Sequence, residues 1–481
     1  MHYISTRGGM RPARFTEVLL SGLAPDGGLV VPLALPSLSA DCLEAWRCLD
    51  YAALASKVIG LFATDVPEAD LQTMTAVAYG PQRFPAPVVP VRDHSAVVAG
   101  LHLVGLSEGP TMAFKDLAMQ FLGQAVPYVL DKQGQVLNIL GATSGDTGSA
   151  AEHAFRGQDA VNVFMLSPAG RMSPVQRAQM YSLHDPNIHN IAVEGVFDDC
   201  QDLVKTLSND IAFKERYSLG AVNSINIGRI VAQAVYYVWA WLRVTDRVEE
   251  RRRSDFQVDV CVPSGNFGNV YAGHIVRSMG LPIRRLIVAT NENNVLEEFF
   301  STGIYTPRSA EATLATSSPS MDISKASNLE RFLWSLLGPE RFSRAWRELE
   351  DCGSLDLSDQ VERIREEFGF IAMSSSHAKR LETIRFMSSH GVTVDPHTAD
   401  GITTALNLME PSFPTLVLET ARPEKFLGTV GEALGFPQPI PNTVSKLLAL
   451  PQRKTTITAD EQELRTIIAT NAVTANSSTF Q

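Results

Sequence analysis

Val258-Asp-Val-Cys-Val262, then Pro263-Ser264-Gly-Asn-Phe-Gly-Asn269, then Val270 to Met279 set a short apolar run, a glycine-containing loop and a helical pattern end to end. The first piece reads as a buried strand and the last as a helix packed on it. Working outward, Leu286-Ile-Val-Ala289 is the next strand. Upstream the alternation repeats: Val136 to Leu140 before helical Thr147 to Phe155, and Val161 to Leu166 before Pro174 to Leu183. Ile191 to Val193 then precedes an amphipathic helix expected over Asp198 to Phe213, and a long helix is expected over Ile227 to Val244. Strand-then-helix repeats with short connections predict an α/β fold, a mostly parallel sheet covered by helices on both faces. Ligands of such sheets bind at the carboxyl ends of the strands, so the loops there are the ones to search.

Ser264 to Asn269 is one such loop. Its two glycines let the backbone approach an anion, and free amides at a helix start point toward it. The same pattern also serves as a tight β-to-α turn with a helix cap. It matches neither G-x-G-x-x-G nor the P-loop, which argues against a nucleotide. Gly141-Ala-Thr-Ser-Gly-Asp-Thr-Gly148 is placed alike after a different strand and suits a carboxylate or simple helix capping. Glu108-Gly-Pro-Thr-Met-Ala-Phe-Lys115-Asp116 leads into a further helix, with Phe114, Leu117, Ala118, Phe121, Leu122 and Ala125 at helical spacing. Lys115 thus falls in a first turn, where the helix dipole disfavours a cation. Dipole and desolvation both push it toward a neutral amine, the form that attacks a carbonyl, although read alone it more often serves as a surface lysine whose stem snorkels over the apolar face. A lysine for an aldehyde, a phosphate cradle and a carboxylate-binding loop are together the parts of a pyridoxal-phosphate enzyme.

Composition is compatible with that reading. The chain has 481 residues, 45% hydrophobic and 19% charged, enough for two or three lobes of an ordinary globular protein. A net charge of -11 and the absence of a basic stripe argue against nucleic acid as a partner. Five cysteines without paired spacing fit a reducing compartment. No leading apolar segment resembles a signal peptide, and Val231 to Leu242 is too short to span a bilayer. A cytoplasmic protein without a membrane partner is therefore expected. Neither an HExxH pattern nor a carboxylate cluster points to a metal. Residues 1–95 read as an N-terminal domain ending in a proline-rich linker from Gly80 to Pro90, 96–450 as the catalytic region and 451–481 as an extension with a loosely held strand and helix. Gly391 to Asp395 and Pro414 to Glu419 read as strands.

On Tyr3 to Arg7, Gly22 to Gly28, Pro110 to Asp116, Gly141 to Gly148, Asn223 to Asn226, Ser264 to Asn269, Met321 to Ile323, Asp395 to Gly401 and Leu418 to Ala421, the chain resembles the long form of the threonine synthases. The resemblance implies the pyridoxal-phosphate fold of the tryptophan synthase β type (fold type II) with an added N-terminal domain. It implies conversion of O-phospho-L-homoserine and water to L-threonine and phosphate, by a monomer or homodimer. Lys115 is then the cofactor-bearing residue and proton shuttle, Gly265, Asn266, Phe267, Gly268 and Asn269 hold the cofactor phosphate, and Thr420 meets the pyridine nitrogen. Thr143, Ser144, Asp146, Thr147 and Asn226 become candidates for gripping the substrate. Arg171 and Arg229 become candidates for its phosphate, although Arg171 read alone serves equally well facing water. A phospholyase giving 2-oxobutanoate, ammonia and phosphate, a serine/threonine dehydratase, and a non-enzymatic phosphate-binding protein are the alternatives.

Overall fold

The structure is a computed structural model that describes residues 1–309 and 311–474. Its frame is two parallel sheets. The larger has six strands in the order Phe370–Ser374, Ile283–Thr290, Val258–Pro263, Thr415–Glu419, Leu101–Gly105 and Val91–Asp93. Only the edge strand Val91–Asp93 is antiparallel to its neighbour. The smaller sheet orders Thr455–Ile457, Ile188–Val193, Val161–Pro168, Leu137–Ala142 and Leu219–Gly220, all parallel. Val258–Pro263 and Val161–Pro168 are buried along their whole length, as expected of strands covered on both faces.

Helix Ile227–Val244 is apolar nearly all round, and every residue from Ile227 to Leu242 is buried. A helix without a polar face belongs inside. It packs on helices Lys115–Gln133, Gly268–Ser278 and Tyr51–Gly60, which joins the N-terminal helices to those carrying the lysine and the glycine loop. The N-terminal hairpin of Tyr3–Ser5 and Val30–Pro32 is tied to helix Leu329–Cys352: Thr6 Oγ1 donates to Glu330 Oε1 at 2.5 Å and Arg331 Nε to the Val30 carbonyl at 2.9 Å. The Ser5-Thr6-Arg7 start therefore serves the fold, with Ser5 on Asp26, Thr6 on Glu330 and Arg7 beside Glu330.

Three local expectations change. Gly391 to Asp395 forms no strand. Asp395 instead caps helix Pro396–Leu408, accepting from the His397 and Thr398 amides, and proline at the first helical position fixes the start. The amphipathic stretch from Asp198 is two helices, Phe197–Asn209 and Ile211–Arg216, because Asp210 turns extended and caps the second through the Phe213 amide. The expected strand and helix after residue 450 are present, but packed against the smaller sheet rather than loosely held. Thr455–Ile457 adds an edge strand beside Ile191–Val193, and helix Glu461–Asn471 buries Leu464 and Ile468 against the smaller sheet.

Candidate active site

Lys115 is the first residue of its helix, Lys115–Gln133. The turn before it is fixed by Asp116, whose carboxylate accepts from the Thr111 amide at 2.8 Å and the Thr111 hydroxyl at 2.7 Å. Met112 then adopts a left-handed backbone with φ 56°. Such a conformation is uncommon outside glycine and is held here by its surroundings. The Phe114 amide donates to the Thr420 carbonyl at 2.9 Å and the Arg422 amide to the Met112 carbonyl at 3.1 Å. The lysine turn is thereby stapled to the loop leaving strand Thr415–Glu419, which brings Thr420 beside Lys115.

One cavity collects Lys115, Asp146, Thr147, Arg229, the loop Ser264 to Asn269, and Thr420. The Lys115 amine lies 3.3 Å from Asp146 Oδ2 and 5.2 Å from the centre of the Phe114 ring. Burial is the main influence on Lys115 and lowers its pKa; Asp146 opposes that, and the positive charges of Lys425 and Arg229 reinforce it. Burial works against ionising Asp146 as well, yet Lys425 and Lys115 overcome it and hold the carboxyl well below the usual carboxylate range.

The glycine loop is an anion cradle. The backbone N–H groups of Gly265 to Asn269 find no acceptor among the described residues and gather at the start of helix Gly268–Ser278. Phe267 makes the turn with φ 63°, and its ring is anchored in the core by Phe300, Phe332 and Phe370 at centroid distances of 5.6, 6.1 and 5.7 Å. Phe267 thus belongs to the cavity lining while its ring holds the loop to the core. A Cβ on Gly265 would come within 2.8 Å of Ile323, which is why the cradle admits only glycine there. Asn269 receives the Tyr236 and Tyr237 hydroxyls on Oδ1 at 2.6 and 2.9 Å, and its Nδ2 is buried without a partner. Ser264 Oγ and Arg229 Nε are likewise buried and unpaired among the described residues. Arg229 is 2% exposed, and burial lowers its pKa to about 10. Unsatisfied buried donors of this kind call for an anionic ligand. A lysine amine, a cradle of orphan amides and a nearby hydroxyl fit pyridoxal phosphate.

Of the substrate candidates, Asp146, Thr147 and Arg229 line the cavity, while Thr143, Ser144, Arg171 and Asn226 do not. Thr143 Oγ1 accepts from the Gly145 and Gly148 amides and so satisfies its own loop. Ser144 and Arg171 are exposed. Asn226 is consumed as a cap, giving Nδ2 to the Leu19 carbonyl and taking the Gly228 amide on Oδ1. Asp146 has both oxygens occupied by cations and donors, so it faces Lys115 rather than a substrate carboxylate. Sequence reasoning passed over Lys425 and Ser320, which grip Asp146 at 2.6 and 2.8 Å. His397 lines the cavity too, with Nδ1 on Asp395 at 2.8 Å and Nε2 taking the Ser320 amide at 3.1 Å.

Comparison with known proteins gives a consistent picture. Residues 2–79 match a family model described as threonine synthase N terminus, and residues 398–468 one described as threonine synthase, C-terminal. The chain is 50% identical to the threonine synthase of Methylobacillus glycogenes, over 97% of this chain and 99% of that protein. It is 48% identical to that of Corynebacterium glutamicum, over 97% and 98%. The fold superimposes on the crystal structure of PLP-bound threonine synthase from Brucella melitensis with a TM-score of 0.92 and 37% identity, covering 98% of this chain and all of that one.

Proposed function

The chain belongs to the threonine synthase family, and on that premise we propose how its cavity turns O-phospho-L-homoserine and water into L-threonine and phosphate. The observation that carries the assignment of residues is the convergence on one cavity of the Lys115 amine, the unpaired donors of Arg229 and the glycine loop, and Thr420. With pyridoxal phosphate bound, the amides of Gly265 to Asn269 would hold its phosphate, the Thr420 hydroxyl would serve its ring nitrogen, and Lys115 would carry it. When bound, pyridoxal 5'-phosphate supplies the electron sink that acidifies the substrate's α-proton.

Lys115 Nζ is the base. It takes the α-proton, passes that proton on, and then takes a β-proton as phosphate leaves. The two protons return to Cγ, which becomes the methyl carbon, and to Cα, while water gives hydroxyl to Cβ and its remaining proton to the phosphate. Its buried setting suits the task, since desolvation keeps the amine from holding its proton as tightly as in water. Arg229 grips the γ-phosphate and stabilises it as it leaves, which gives its unpaired Nε the partner it lacks among the described residues. Thr147 takes the amino-acid end of the substrate, and the surrounding buried side chains exclude bulk water.

The reading carries with it a monomeric or homodimeric cytoplasmic enzyme, in which residues 1–95 form the N-terminal domain, 96–450 the catalytic region and 451–481 the extension. Among the described residues, no helix is long and apolar enough to cross a membrane. The residue assignments are tested by Lys115→Ala. It should lose both the visible absorbance of lysine-bound cofactor and turnover, and retained turnover would remove Lys115 from the role of base.

A further inference from the structure

Beyond the cavity wall lies a second lysine that the reaction as described does not use. Lys425 closes the short turn Pro423–Lys425 after strand Thr415–Glu419, and its side chain is fully buried. Its amine donates to Asp146 Oδ1 at 2.6 Å and to the Thr111 carbonyl at 2.9 Å, thus gripping the carboxylate beside Lys115 and the turn that precedes Lys115. Gln176 Nε2 and Ser320 Oγ complete the hold on Asp146 at 3.0 and 2.8 Å. We propose that Lys425, acting through Asp146, is a positioning residue that makes Lys115 the amine that gives up its proton.

The Lys115 and Lys425 amines are both buried on the one carboxylate of Asp146, and the charge of Lys425 disfavours a second positive charge on Lys115. Relief comes by loss of a proton from one amine. Lys425 has the shorter contact with the carboxylate and a second acceptor in the Thr111 carbonyl; Lys115 has only the 3.3 Å contact and opens to the cavity. Lys115 is therefore the one to yield. The other charged or titratable groups around it are Arg229 on helix Ile227–Val244, which acts in the same sense as Lys425, His397 on helix Pro396–Leu408, and Asp116 on its own helix. Without Lys425, Asp146 would have Lys115 as its sole cationic partner and would hold it as an ammonium.

This rests on the functional reading above, and capture of free cofactor by apo-protein separates the two. Full-length protein is stripped of cofactor, pyridoxal phosphate is added across the neutral and alkaline range, and the rate of appearance of visible absorbance gives the midpoint at which the amine becomes reactive. In that step the neutral amine adds to the aldehyde, the C=N bond forms and water leaves. Lys425→Met should move the midpoint upward and slow capture at neutral pH on the order of tenfold, the scale of one neighbouring buried charge. Lys425→Arg, which keeps the charge, should restore it, and Asp146→Asn should move the midpoint the other way. An unmoved midpoint in Lys425→Met, with normal capture by wild type, overturns the proposal alone. Wild-type protein that captures no cofactor removes the functional reading and the proposal together. If Lys425→Met does not fold, Asp146→Asn decides, and an unchanged or raised midpoint there is contrary.

Discussion

Replacing Arg229 by methionine should make the empty protein more stable and the enzyme worse. The guanidinium stands in the first turn of helix Ile227–Val244, at the positive end of the helix dipole. Among the described residues its Nε has no partner, and its one hydrogen bond is a 3.4 Å contact to the Val222 carbonyl. Burial lowers its pKa by more than two decades from the usual guanidinium range, to about 10. At about 1.4 kcal/mol for each tenfold, this is about 3 kcal/mol of solvation that the fold has not replaced. Methionine keeps much of the apolar stem and asks for no hydrogen bond. Urea denaturation of cofactor-free protein should show Arg229→Met gaining up to about 3 kcal/mol, less whatever packing is lost. The same variant should bind O-phosphohomoserine at least about thirtyfold more weakly, since truncating one partner of a buried charge pair costs about 2 kcal/mol or more. A variant that is less stable than wild type and keeps its KM would refute the reasoning, because Arg229 would then be neutralised within the protein and idle toward the substrate.

Other outcomes follow from single contacts. Gly123 faces helix Asp146–Phe155 so closely that a Cβ would sit 2.3 Å from the Ala154 carbonyl oxygen; Gly123→Ala should cost about 1–3 kcal/mol, read as a lowered urea midpoint. Asp116 is buried and its pKa is raised from 3.8 to about 6. Folding therefore favours its protonated form, and its contribution to stability falls as pH rises through that window. Asp116→Asn, which can still meet the Thr111 amide and hydroxyl, should gain on wild type by about 3 kcal/mol between the two ends, and parallel pH–stability curves would count against this. Tyr236→Phe combined with Tyr237→Phe frees Asn269 Oδ1 and should weaken cofactor retention about tenfold in dialysis, with the fold intact by circular dichroism.

Much of the site was legible because its chemistry is local. Lys115 stands out as a cation in an apolar first turn, and the loop from Ser264 to Asn269 as a pair of glycines between strand and helix. What the sequence could not show is which polar residues the tertiary fold buries. Arg171 and Arg229 look alike as letters, yet one is exposed and the other closed in by helix and cavity. Lys425 sits in Pro-Glu-Lys, a surface-like composition, and becomes a partner of Asp146 only because Phe114 and Thr420 stitch two distant loops together. Thr143 and Asn226 are substrate candidates by sequence, with helix capping the competing role for Asn226, and local backbone amides claim both side chains. The apolar run Val392 to Val394 imitates a strand, and the capping geometry of Asp395 with Pro396 overrides it.

The central claim is most directly tested by incubating purified holoenzyme with O-phospho-L-homoserine and measuring phosphate, threonine and 2-oxobutanoate in one reaction. Phosphate matched mole for mole by threonine is the predicted result. Phosphate matched by 2-oxobutanoate and ammonia would contradict it, leaving the Lys115 chemistry in place but removing the addition of water at Cβ.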